Sequence, residues 1–234
     1  MLPTQSRVRH STVAIYLGLI TNVFLAILKT TVGVLGPSPA LLADGINSTS
    51  DVAYYIVVGI FMHKSNKPPD EEHPYGHRQL ESIAALIVGS FVVTTAIAIF
   101  WNSVDAIYDL LIGISEFSGA SQVALWVALF TILLKWGLSD YTRRVGESYH
   151  NAAVLALARD HRNDLYSAVA AAIGIFLGRQ GLLWVDPLAG ALVALIILHT
   201  GIEILRESSA ELMDDVPSRA LAEEITSLLL QHTD

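Results

Sequence analysis

The stretch "AAVLALARDHRNDLYSAVAAAIGIFLG", residues 152–178, decides how the chain folds. Its two ends are apolar runs suited to a lipid bilayer, yet Asp160 and Asp164 stand between them. Because the two acids are four residues apart, a helix places them one turn apart on the same face. A charged side chain near the bilayer centre costs about 2.5–3.5 kcal/mol on insertion scales, so each acid needs a partner or a function. The stretch therefore predicts a membrane helix with a functional polar face.

The composition of the whole chain agrees with a membrane protein. Of the 234 residues, 53% are hydrophobic and 15% are charged, and the mean hydropathy is +0.51. Six segments are long and apolar enough to be predicted as membrane spans of about 20 residues or more. They cover residues 12–35, 39–62, 80–112, 121–142, 150–178 and 183–205. We therefore predict an all-α membrane protein with six transmembrane helices.

The basic residues predict the orientation of these helices. Lys and Arg lie beside the N-terminus, in the second and fourth loops and near the C-terminus, whereas the other three connections hold essentially only Arg179. Loops rich in Lys and Arg stay on the cytoplasmic side, so both termini are expected there. Residues 1–208 form the predicted transmembrane domain. Residues 209–234 read as a linker and one amphipathic helix, a short helical tail that we interpret as the truncated start of a cytoplasmic domain.

A second polar face lies in the second predicted span. The stretch "LLADGINSTSDVAYY", residues 41–55, places Asn47 and Asp51 one turn apart. If this face meets the acids of the fifth span, three carboxylates and one amide oxygen surround a single point. Protons or a bound metal ion must neutralise such a cluster, and alternation between the two is the physical basis of an exchanger. The predicted metal site comprises Asn47, Asp51, Asp160 and Asp164.

Neighbouring polar residues are assigned differently. Asp44 shares the face of Asn47 and is interpreted as a ligand in its place, a group that supports the ligands, or a charge at the entrance. His161 and Arg162 point away from the Asp160 face by roughly 100 and 200 degrees, which predicts contacts with loops or partners. A lone Asn in a membrane helix serves more often as an interhelical hydrogen-bonding group than as a ligand. Two polar pairs on two spans are harder to explain in that way.

The polar pairs of the second and fifth spans, together with "HPYGHRQLES" leading into the third span, resemble the cation diffusion facilitator family of divalent-metal exporters. The resemblance covers nearly all of residues 10–215. It implies that the two pairs form the transport site and that the protein is a homodimeric antiporter rather than an enzyme. Zinc-selective members typically have His where this chain has Asp160. The "DHRND" stretch resembles the manganese group of the family, which implies Mn²⁺/H⁺ antiport out of the cytoplasm, expected across a bacterial inner membrane.

The ligand chemistry agrees with a manganese cargo. A site made only of oxygen donors favours harder ions, whereas Zn²⁺ gains most from nitrogen and sulfur ligands. Mg²⁺ keeps several waters, and Ca²⁺ usually takes more ligands than four side chains offer. We therefore expect transported Mn²⁺, with Fe²⁺ or Zn²⁺ as alternatives, and no cofactor.

A second metal site is predicted in the loop before the third span. His73 and His77 are four residues apart, and Asp70 precedes His73 by three. This spacing suits an exposed zinc-type or regulatory site. The alternative is that "HPYGH" only turns the chain into the next span.

Other functions remain as alternatives at this point. An intramembrane aspartyl protease also places two Asp in membrane helices, but "GLSDY", residues 137–141, lacks the second glycine of its Gly-x-Gly-Asp motif. A transport-inactive scaffold is the other alternative, because Asn47 departs from a fully charged or His-bearing site. The net charge of −8 argues against nucleic-acid binding, and the absence of cysteine excludes thiolate metal sites. The expected partners are therefore divalent ions, protons, lipid and a second copy of the chain.

Overall fold

Six long helices make up nearly all of the described part of the chain. The structure is a computed structural model that describes residues 4–65, 68, 70, 76–77, 79–114 and 119–213. The helices are α1 (Thr4–Leu35), α2 (Pro39–Ser65), α3 (Leu80–Leu111), α4 (Gln122–Tyr149), α5 (Ala152–Arg179) and α6 (Val185–Leu212). No strand occurs among the described residues. The all-α prediction is therefore confirmed.

Five of the helices begin within two residues of the predicted spans, whereas α1 begins at Thr4, eight residues before the predicted start at 12. Some helices also end later than predicted. The helix α4 continues to Tyr149 rather than 142, because "TRRVGESY" is too polar for lipid yet can continue the helix outside the hydrocarbon region. Ion pairs four residues apart support this extension, between Arg143 and Glu147 and between Arg144 and Asp140. The helix α6 also runs to Leu212, past the predicted start of the tail at 209. Residues 214–234, the rest of the predicted tail, lie outside the described residues.

Four of the six helices are long and apolar enough to cross a membrane by length and composition, namely α1 from Arg9, α3, α4 and α6. The helices α2 and α5 are 27 and 28 residues long. At 1.5 Å per residue each is about 40 Å long, more than the roughly 30 Å of a hydrocarbon core. Their apolar character is interrupted by the same acids that the sequence analysis identified.

The packing of the helices places α2 and α5 at the centre. A ring of four helices is formed by α1, α2, α5 and α4, each in contact with the next. The helices α3 and α6 pack against each other, and this pair lies against α2 and α5. The polar faces of α2 and α5 therefore face an interior that other helices cover.

The crossing of α1 and α2 is unusually close. A Cβ atom on Gly45 would lie 2.6 Å from the backbone nitrogen of Thr30, so only glycine allows this approach. Small residues are the usual means by which membrane helices come close together. The crossing brings Lys29 on α1 beside Asp44 on α2, with 2.9 Å between Nζ and Oδ2.

A carboxylate from α6 holds the start of α2. Asp186 Oδ1 accepts hydrogen bonds from the backbone N–H of Ala40 and from the Ser38 hydroxyl, each at 3.0 Å. The first N–H groups of a helix have no partner within the helix, and an acid at this end also suits the helix dipole. Asp186 thus joins the first turns of α2 and α6.

The outer surface is apolar. Large side chains such as Ile20, Ile87 and Leu133 are more than 60% exposed. All four tryptophans of the chain are also exposed, by 45–65%. A soluble protein would bury much of this surface, whereas lipid tails match it. The surface therefore agrees with a bundle surrounded by lipid.

Candidate functional site

The polar faces of α2 and α5 line one cavity inside the bundle. Its volume is about 610 Å³, and all four side chains of the predicted site line it, Asn47 and Asp51 from α2 and Asp160 and Asp164 from α5. The helix α6 contributes His199, Thr200 and Glu203 to the same cavity. Asn22 from α1 also lines it, so polar side chains from four helices meet in one space within the bundle.

Asp164 is buried and is held by donors from two other helices. Lys135 on α4 donates a hydrogen bond to its Oδ2, and Asn47 Nδ2 donates to its Oδ1 at 3.3 Å. Lys135 also donates to Oδ1 of Asn22 on α1, at 2.7 Å. A charged group in the interior of a membrane protein needs such partners, because water is not there to solvate it. Asp164 is therefore the point at which α1, α2, α4 and α5 are linked by polar contacts.

Asp160 is held differently. The hydroxyl of Tyr55 on α2 donates to Asp160 Oδ2 at 2.9 Å. Tyr55 is four residues after Asp51, so one face of α2 supplies both side chains. Both residues line the cavity with Asp160. This contact fixes Asp160 beside the face of α2 that carries Asp51.

The carboxylates share a cavity without forming a compact ligand cluster. Among the residues that the structure describes, no group of three or more His, Cys, Asp or Glu side chains is close enough to hold one ion. Their present partners explain the spacing, because Tyr55 holds Asp160 while Lys135 and Asn47 hold Asp164. A shared coordination sphere for all four residues stays a prediction.

Asp44 does not line this cavity. It forms the ion pair with Lys29, and neither side chain is exposed at all. Lys29 also donates to the hydroxyl of Ser48 at 2.7 Å. A neutral pair of this kind joins α1 to α2. The structure therefore places Asp44 in a separate polar contact, one turn of α2 away from Asn47.

His161 differs from the expectation that it contacts loops. It is fully buried and packs against α1, where a Cβ atom on Gly18 would lie 3.0 Å from its Nε2. The missing side chain of Gly18 leaves room for the imidazole. Neither ring nitrogen has a hydrogen-bond partner in the described structure. The prediction of a loop position was wrong because helical angles give a direction but not the identity of the neighbouring helix.

The two buried lysines were not predicted as functional residues from the sequence. Lys29 lies in "FLAILKTTVG" and Lys135 in "FTILLKWGL", and each is the only charged residue in an apolar run. A lysine at the middle of a membrane helix has the same insertion cost as an acid and therefore needs an acidic partner. That signal was present for both residues. The identity of the partner was not, because it depends on how the helices pack.

The predicted loop site is described only in part. His77 Nε2 lies 3.3 Å from Asp70 Oδ2, with Asp70 about half exposed. His73 lies outside the described residues. The contact brings together two of the three predicted ligands, and metal binding there stays a prediction.

The fold and the cavity together define a class of protein. A helical membrane protein that lines an interior space with carboxylate and amide oxygens is suited to carrying a cation, because a cation offsets the buried negative charge. Comparison with known sequences then identifies the family. The family model described as the cation efflux transmembrane domain matches residues 15–213. The chain belongs to this family, the cation diffusion facilitators.

Several relatives are similar over most of the chain. The manganese efflux system protein MneP of Bacillus subtilis is 34% identical over 222 residues, which are 92% of this chain and 73% of the relative. The manganese efflux system protein MneS of the same organism is 31% identical, over 81% of this chain and 64% of the relative. Metal tolerance protein C1 of Arabidopsis thaliana is 32% identical, over 92% of this chain and 48% of the relative. The chain thus spans between about half and three quarters of these relatives.

The family establishes the general function. The chain is a divalent metal cation efflux transporter and an integral membrane protein, and its bacterial relatives indicate the inner membrane. The alternative of an intramembrane aspartyl protease is wrong, because the family and its members are transporters and not enzymes.

Proposed function

We propose that the protein exports Mn²⁺ from the cytoplasm in exchange for protons, and that Asn47, Asp51, Asp160 and Asp164 bind the ion. The observation that carries this proposal is that all four side chains line one interior cavity. They offer oxygen atoms and no thiolate, which favours Mn²⁺ over Zn²⁺. Two of the similar proteins are named manganese efflux proteins, which supports the same cargo.

The charges around the cavity support a divalent cargo. Lys29 neutralises Asp44, so that pair adds no net charge. Lys135 neutralises Asp164, one of the three carboxylates among the proposed ligands. With these groups ionised, the proposed ligands keep a charge of −2, which one divalent ion neutralises, and Glu203 adds one further negative charge to the cavity lining. A monovalent ion would leave more negative charge unbalanced in a medium where such charge is costly.

Proton exchange follows from the same charges. When the ion leaves, two negative charges must be neutralised again, and protons are the cations that carboxylates bind directly. Alternation between ion-bound and protonated carboxylates couples the two fluxes. The protein then alternates between two conformations that open the cavity to opposite sides of the membrane. By the family resemblance, we expect it to work as a homodimer with both termini in the cytoplasm.

Transport by the purified protein in sealed vesicles tests the proposal. We expect uptake of Mn²⁺ into vesicles with an acidic interior, and less transport of Zn²⁺ and Fe²⁺ at equal concentration. Asp164→Ala is expected to remove the flux, whereas Asp109→Ala, on the exposed surface of α3, is the matched control and should leave it unchanged. Faster transport of Zn²⁺ or Fe²⁺ would show that this ion, and not Mn²⁺, is the preferred cargo. No flux of any of the three metals through folded protein would favour the transport-inactive scaffold instead.

A further inference from the structure

Lys135 places a buried positive charge beside the proposed cation site. It lies at the middle of α4 and is fully buried. Its ammonium group donates hydrogen bonds to Asp164 on α5 and to Asn22 on α1. One of these partners, Asp164, is a proposed ligand of the transported ion. A lysine in this place needs an explanation, because it repels the cargo that the site is built to bind.

Both oxygen atoms of Asp164 are engaged by donors from the protein. Lys135 donates to Oδ2, and Asn47 donates to Oδ1. A divalent ion that binds Asp164 must therefore share it with the ammonium group or replace that group. Two cations on one buried carboxylate repel each other strongly, because little water screens them. Replacement of the ammonium group avoids this repulsion.

We propose that Lys135 is a built-in competitor for the transported cation, whose ammonium group occupies Asp164 until a divalent ion displaces it. This inference rests on the proposed function, in which Asp164 is a ligand. The competitor lowers the affinity of the site and returns to Asp164 as the ion leaves. It therefore helps release, which a transporter needs as much as binding.

Asn22 is a second hydrogen-bond acceptor for the displaced ammonium group. Its Oδ1 already accepts a hydrogen bond from Lys135 at 2.7 Å, and Asn22 lines the same cavity. The lysine side chain is long and has several rotatable bonds, so a small rotation moves its charge from one acceptor toward the other. The ammonium group thus keeps its hydrogen bond to Asn22 while Asp164 binds the metal ion.

Lys29 is a matched control within the same molecule. It is buried to the same extent and also pairs with an aspartate. Its partner Asp44 does not line the cavity. A change at Lys29 therefore alters a buried ion pair without removing a competitor from the proposed site.

Calorimetric binding of Mn²⁺ to the purified full chain, at one fixed pH, tests the inference. Lys135→Gln keeps a hydrogen-bond donor for Asn22 and Asp164 but removes the charge, so we expect the Kd to fall about tenfold or more. Lys135→Arg keeps the charge and should stay within about threefold of the unmodified protein. Lys29→Gln should not tighten binding. An unchanged or higher Kd for Lys135→Gln, or equal tightening by Lys29→Gln, would overturn the proposal.

A second variant is expected to change the Kd in the opposite direction, and it tests the proposal even if Lys135→Gln does not fold. Asn22→Ala removes the alternative acceptor, so the ammonium group remains on Asp164 and the Kd for Mn²⁺ should rise about threefold or more. Unchanged affinity in Asn22→Ala would also refute the competition. Asp164→Asn separates the two proposals. If it binds Mn²⁺ as the unmodified protein does, the proposed site itself is wrong; if it loses binding while Lys135→Gln does not tighten it, only the role of Lys135 fails.

Discussion

Replacing Asp44 with leucine leaves the Lys29 ammonium group buried without its charge partner. The two groups are 2.9 Å apart and both are fully buried. At an effective dielectric constant of about 20, unit charges at this distance attract by about 6 kcal/mol. Loss of one partner of a buried pair typically costs about 3–5 kcal/mol. We therefore expect Asp44→Leu to lower the free energy of unfolding by that amount, which is roughly 100- to 5,000-fold in the ratio of folded to unfolded protein.

Unfolding in detergent micelles, followed by circular dichroism, measures this loss. The double variant Lys29→Met and Asp44→Leu removes both charges and should recover most of it, to within about 1 kcal/mol of the unmodified protein. Asp140→Ala is the control, because its ion pair with Arg144 is on the surface and is expected to contribute less than about 1 kcal/mol. Equal small losses in Asp44→Leu and Asp140→Ala, or a double variant as unstable as the single one, would show that the buried pair does not stabilise the bundle.

Three further predictions concern transport. Asp51→Ala and Asp164→Ala should each abolish Mn²⁺ flux in vesicles while the protein still inserts, because each removes a charged ligand; normal flux in either would contradict the site. Asp160→His adds an imidazole and should raise transport of Zn²⁺ relative to Mn²⁺ in the same vesicles, and an unchanged ratio would mean that Asp160 does not touch the ion. Binding of Mn²⁺ in weakly buffered detergent solution should release protons; Asp51→Asn should release fewer than the unmodified protein, and Asp70→Ala the same number. Calorimetry in two buffers of different ionisation enthalpy counts the protons, and a count of zero for the unmodified protein between about pH 6 and 8 would disprove the exchange.

The sequence predicted the helices well because hydropathy and helical periodicity are local properties. Proline at 39 and the polar stretch before Leu80 mark helix starts that the structure reproduces. The end of α4 was placed seven residues too early, since hydropathy reports the lipid boundary and not the end of the hydrogen-bonded helix. Local patterns thus gave the number of helices and five of their six starts to within two residues, but not the start of α1 or the ends of α4 and α6.

The candidate site was predictable in its acids but not in its cations. Asp160 and Asp164 stand out because acids are rare in apolar runs, and their spacing assigns them to one helix face. Lys135 lies on a different helix, and its contact with Asp164 depends on how α4 packs against α5. The same holds for Asn22 on α1. Periodicity describes one helix at a time, so it cannot pair residues from different helices.

The positions of the two buried lysines also bear on how the chain enters the membrane. Lys29 and Asp44 lie on α1 and α2, which only residues 36–38 separate, and Lys135 and Asp164 lie on α4 and α5, which only residues 150–151 separate. Each lysine therefore finds its acid on the very next helix to be synthesised. If the two helices of a hairpin enter the bilayer together, each lysine is already paired with its acid, which avoids about 2.5–3.5 kcal/mol for each charge of the pair. Neither lysine then depends on a later helix for its charge partner.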